Sequence, residues 1–133
     1  MADENFGRRK QTMALPTDFA QRFAAEWIEA WNSHDLERVL ELYEDDFEMH
    51  SPLIPVIAGE PSGELRGKAA VGAYWAKALR MLPDLRFELV TVLSGVNSVV
   101  LYYEGHRGMS AEVLLFGSSE RVRAAYAHYA SSL

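Results

Sequence analysis

The chain contains no cysteine, which excludes disulfides, thiol nucleophiles and thiolate metal sites together. It is also poor in basic charge, with 13 lysines and arginines against 19 aspartates and glutamates and a net charge of −6. A phosphate backbone needs a basic surface, so nucleic acid is not an expected partner. Anionic membrane surfaces are disfavoured for the same reason, and no apolar run approaches the length of a bilayer span. Arg8, Arg9 and Lys10 have the form of an export signal, but Gln11, Thr12, Met13, Ala14 and Leu15 do not follow them with an apolar stretch. Residues 1–15 therefore read as a flexible arm, and the cytoplasm is the expected location. The four histidines, His34, His50, His106 and His128, show no ligand-type spacing, so no metal is expected. Neither a glycine-rich phosphate cradle nor a Ser-His-Asp arrangement is present, and no cofactor is expected.

What is present is the balance of one folded domain, expected over 16–133: 133 residues, 49% hydrophobic and 24% charged. Phe19, Phe23, Trp27 and Trp31 recur every fourth residue beside Ala20, Ala24 and Ile28, one broad apolar face on a helix from Pro16, Thr17 or Asp18 to about Asn32. Asp35 can cap a second helix in which Leu36, Val39, Leu40 and Tyr43 share a face, ended by Asp45 and Asp46. Phe47 to Ser51 reads as a short strand with Met49 and Ser51 on one side and His50 on the other. Five proline and glycine residues between Pro52 and Arg66 predict a long loop, of the kind that walls or lids a pocket. A third helix follows from about Lys68, with Val71, Tyr74, Trp75, Ala78, Leu79 and Leu82 at helical spacing.

The remainder is strand. Leu85, Phe87 and Leu89 alternate, then Val90 and Val92 continue in the opposite phase, the slip that a β-bulge produces. Turns at 95–98, 105–108 and 117–120 separate Val99 to Glu104, Met109 to Phe116 and Arg121 to Tyr129. Three helices and an antiparallel meander make an α+β domain with helices on one sheet face. Several strands are apolar on both faces; in Met109 to Phe116, Ala111, Val113 and Leu115 oppose Leu114 and Phe116. A second apolar face needs cover, and a homodimer through the sheet is the expected answer.

The run from Trp27 through Glu29, Trp31, Asn32 and His34 to Asp46 resembles the helical start of SnoaL-like proteins, of the nuclear transport factor 2-like superfamily. His50-Ser51-Pro52, Leu65 to Val71 and Pro83 to Phe87 fit the same pattern, so the resemblance spans roughly Phe19 to Tyr129. It implies a cone-shaped fold in which the helices and a curved, mainly antiparallel sheet enclose an apolar pocket. The superfamily hosts isomerases, polyketide cyclases, hydrolases, dehydratases and non-catalytic binding domains, so it fixes no single activity. Its ketosteroid isomerases place their general base just before the proline of the first strand. That position here is Ser51, whose hydroxyl has no useful basicity near neutral pH. The oxyanion-binding tyrosine falls at Trp27 and the buried protonated aspartate at Glu112, so two of the three groups are changed and that reaction is not expected.

Glu112 is the first candidate for chemistry. In an apolar cavity its pKa should rise, making it a neutral donor or general acid. The alternative is a carboxylate at a strand edge or dimer seam, paired with Arg107 or Arg123. His50 is the second catalytic candidate because histidine titrates in the useful range, although alternation turns it away from Met49 and Ser51. His128 is a weaker one. Trp27, Trp31, Tyr43, Tyr74, Trp75, Phe87 and Tyr103 are the expected lining for a small hydrophobic ligand, polycyclic or ketone-bearing. Two functions are open: a cofactor-independent cyclase or isomerase, and a non-catalytic ligand-binding or dimerisation domain.

Overall fold

A computed structural model of the chain describes residue 15 and residues 17–130. The expected N-terminal arm and the start at Pro16 lie outside the described residues. Helix α1 spans Thr17–Ser33, and its every-fourth-residue aromatics are buried together with Ala20, Ala24 and Ala30. It ends where His34 adopts a positive φ of 63° and its N–H bonds the Trp31 carbonyl. Asn32, on the last turn, donates to the Phe87 carbonyl at 2.9 Å and accepts from the Phe87 N–H at 2.7 Å. Both backbone groups of Phe87 are thereby satisfied by one side chain, which pins the chain entering the meander to the end of α1.

Asp35 caps α2 as expected, accepting from the Arg38 N–H, but α2 covers only Leu36–Leu40. Tyr43, expected on that helix, instead begins strand β1 (Tyr43–His50). The reason lies in tertiary pairing. Tyr43 sits opposite Val122, and the Leu42 carbonyl accepts from the Val122 N–H at 2.9 Å. A register shift between Tyr43 and Glu48 then bulges Asp45 and Asp46 into solvent, so Tyr43 and Phe47 both face inward. Buried residues four apart imitate a helical period, and the bulge produced them here in a strand.

The segment 52–66 is more ordered than a loop. It holds a short helix α3 (Ile54–Ile57) and a short strand β2 (Glu64–Arg66), which pairs antiparallel with β1 through Met49 and Leu65. Gly63 makes the return possible at φ +75°, where a Cβ would also press on the Ser51 carbonyl at 3.3 Å. Helix α4 (Lys68–Met81) follows with Val71, Tyr74 and Trp75 buried. Among the described residues, four helices therefore replace the three read from the sequence.

The meander forms as expected: β3 (Glu88–Gly95), β4 (Ser98–Gly105), β5 (Gly108–Phe116) and β6 (Val122–Tyr129). The bulge in β3 falls at Val90, between the Leu89–Tyr103 and Thr91–Tyr102 pairs. The sheet is one open, curved layer in the order β2-β1-β6-β5-β4-β3, antiparallel except where β1 runs parallel to β6. Its inner face, carrying Leu101, Leu114, Ala125 and Met49, packs under the helices. Its outer face is also largely apolar, as expected, with Val100 opposite Val113 and Tyr102 opposite Ala111. On this side Leu93 remains 57% exposed and Tyr102 41%.

Candidate active-site cavity

Between the inner face of β4–β6 and helices α1, α3 and α4 lies a cavity of about 90 Å³. Leu53, Ile57 of α3, Ala78 and Leu82 at the end of α4, and Gly105, His106 and Arg107 of the β4–β5 turn also line it. The Lys77 ammonium donates to the Ile57 carbonyl at 2.9 Å and ties α3 to α4.

Glu112 stands at the inner wall. Strand β5 is central in the sheet, and alternation turns Ser110, Glu112 and Leu114 inward. The residue is 4% exposed, and the Tyr103 hydroxyl donates to its Oε1 at 3.2 Å. Burial disfavours the ionised form and pushes the carboxyl up to about 7, and the Tyr103 bond offsets part of that rise. The edge or seam position considered for Glu112 is not the one it occupies.

Among the described residues, four tyrosines lie close enough to feel the charge of this carboxyl, and Tyr103 is the one hydrogen-bonded to it. Burial raises the pKa of Tyr43, Tyr74, Tyr103 and Tyr129, and the nearby Glu112 charge adds to the rise in each. All four therefore stay protonated at neutral pH, and Tyr103 and Tyr74 act as donors. Tyr74 donates to Ser51 Oγ at 3.4 Å, and Tyr129 shares the same serine. Ser51, at the position of the isomerase base, is buried and also caps the Leu53 N–H at 3.1 Å.

Of the expected lining, Trp27, Trp31, Tyr74, Trp75, Phe87 and Tyr103 do border the cavity. Tyr43 does not border it; it lies fully buried behind, its hydroxyl accepting from Trp27 Nε1 at 2.8 Å. That hydroxyl also feels Trp31, but only Trp27 meets it in hydrogen-bonding geometry, and Trp31 Nε1 is buried without a partner. His50 is not brought to the cavity. It lies on the outer face, stacked on Tyr126 with ring centres 4.2 Å apart and Nε2 3.3 Å from Glu48 Oε1. Strand alternation puts it there, one residue out of phase with Met49. His128 is exposed on the same outer side.

Two features escaped the sequence reading. Tyr129 lines the cavity because β5–β6 register sets it beside Ser110. Its inward phase shared with Ala127 was the available signal, but the register was not. On the outer face Glu48, His50 and Glu64 gather donor atoms within 4.8 Å of one another, a grouping of metal-ligand type made by the β1–β2 pairing. Spacing along the chain could not reveal it, and Arg66 already neutralises Glu48.

The fold is an α+β cone with a buried carboxyl on its cavity wall. The SnoaL-like domain family matches residues 24–130, and the chain belongs to that family. It is similar to a SnoaL-like protein of unknown function from Burkholderia thailandensis, with 55% identity, 89% of this chain and 99% of that one covered, and a TM-score of 0.85. The fold is shared with a cystatin-like protein from Methylobium petroleophilum at 17% identity and TM-score 0.70, covering 90% of this chain and 81% of that one. It is shared too with a candidate ketosteroid isomerase from Kribbella flavida at 14% identity and TM-score 0.64, covering 88% of this chain and 82% of that one. No curated protein matches the sequence. Among the described residues, no helix is long and apolar enough to cross a membrane.

Proposed function

We propose that the cavity binds a small, largely apolar, ketone-bearing molecule and that Glu112 transfers a proton on it without a cofactor. The observation that carries this reading is a carboxyl held near pH 7 inside an apolar enclosure. Such a group exists in both forms at neutral pH, which is what an efficient general acid or base needs. In the ionised form it removes a proton from carbon beside the ketone. In the protonated form it returns that proton to another atom of the same molecule, so nothing else is consumed. Tyr103 remains a donor to Glu112 throughout and stabilises its charged form. His50 has no part in this chemistry, being on the far side of the sheet.

The test is the Glu112→Gln variant with deuterium incorporation into ketones from heavy water, followed by NMR. Binding should persist while exchange falls by about 10²–10⁴-fold, the range of a lost acid–base group. Equal loss of binding and exchange would reject the catalytic reading. The hydroxyl at Ser51 supports a second reading, a binding recess without chemistry, in which wild type and variant exchange alike.

The outer sheet face fits a second copy of the chain. Its apolar residues run across β3, β4, β5 and β6 as one surface, and an isologous dimer would cover Leu93, Val100, Tyr102 and Val113.

A further inference from the structure

The aromatic side chains expected to clasp a flat polycyclic ligand are instead packed on one another. Trp27 stacks on Phe87 with ring centres 5.5 Å apart, Trp31 meets Trp75 edge-on at 5.0 Å, and Tyr103 closes on Phe87 at 4.8 Å. Behind them Tyr43 and Phe47 both touch Trp75, at 5.1 and 5.7 Å. The cone is largely filled by its own core, and what stays open is about 90 Å³. Sites that bury a drug-sized molecule measure about 300–1,000 Å³. An apolar cavity of about 150 Å³ takes up one benzene ring, so this space is of single-ring scale.

The walls resist widening because they are core rather than loop. Trp75 is buried between α1 and β1, and Trp31 is locked against it from the facing helix. Admitting a second ring would force these side chains out of well-packed positions, and overpacking a core is itself destabilising. The chemistry of the wall selects further. Tyr103 and Tyr74 already donate to Glu112 and Ser51, so the donors left for a ligand include the unpartnered Trp31 N–H and the O–H of protonated Glu112. Such donors suit an acceptor oxygen on the ligand.

We infer that the site takes a compact carbonyl compound of about one ring, and that Trp75, backed by Trp31, sets the upper size limit. The inference rests on the cavity being the working site. It departs from the polycyclic ligand that the family resemblance raised.

The test is a graded series at neutral pH against the full chain: cyclohexenone, a bicyclic enone and a steroid enone, with binding read by saturation-transfer NMR and thermal shift. Affinity should fall with each added ring. In Trp75→Leu the bicyclic enone should gain at least about tenfold, the scale of a pocket enlarged by a few methylenes, while cyclohexenone gains nothing. If Trp75→Leu fails to fold, the size order of the wild type decides alone. Steroid or bicyclic enones binding as well as cyclohexenone, or no member binding, would overturn the inference. So would tighter binding of cyclohexylammonium, which would make the aromatic wall and Glu112 a cation site. Failure of the proton-transfer reading is separately visible, since the size order in Glu112→Gln would then be unchanged with no exchange in either protein.

Discussion

Glu112→Gln keeps the shape of the side chain and its acceptor oxygen for Tyr103 while removing the charge. The folded protein holds the carboxyl near 7, against an ordinary value of 4.5. Between those two values the folded state carries more protons than the unfolded chain, so raising the pH favours unfolding. The stability associated with a neutral Glu112 is complete below 4.5 and is lost as pH rises through 7. At about 1.4 kcal/mol for each pH unit, the separation between 4.5 and about 7 amounts to a few kcal/mol. Glutamine cannot ionise and escapes the loss. The stability difference, variant minus wild type, should therefore grow by about 2–3 kcal/mol between about pH 5 and pH 8. Urea denaturation of both proteins across this range measures it, and taking the difference cancels every other titrating group they share. A difference that stays flat with pH, or shrinks, would refute the buried neutral carboxyl.

Further consequences can be measured independently. Tyr103→Phe removes the hydrogen bond that favours the charged form, so the Glu112 pKa should move above its wild-type position in a carboxyl titration. Asn32→Ala strips both backbone partners from Phe87 and should lower stability by about 1–3 kcal/mol in denaturant melts. Val113→Glu places a charge in the middle of the apolar outer face, so light scattering should find a dimer for the wild type and a monomer for the variant if the proposed dimer forms through that face.

Where the physics is local, the sequence carried the fold. The four-residue spacing of Phe19, Phe23, Trp27 and Trp31 sufficed for α1, the phase change at Val90 located the bulge in β3, and glycine-marked turns separated the hairpins. Alternation alone also turned His50 away from the face of Met49 and Ser51. What stayed hidden depended on partners distant in the chain. Tyr43 was drawn out of a helix by pairing with Val122, and β2 exists only because β1 lies beside it. Tyr129 reached the cavity through a register that no local signal sets. The cavity volume was the least legible quantity, because it is the small remainder after large side chains have packed against each other.

The most direct measurement is an NMR titration of the Glu112 side-chain carboxyl carbon in the isotopically labelled wild-type protein. A midpoint near 7 is the result the account predicts, with a matching chemical-shift response in the Tyr103 ring. A midpoint near the ordinary 4.5 would mean that water reaches the carboxyl, and acid–base chemistry at Glu112 would then be contradicted.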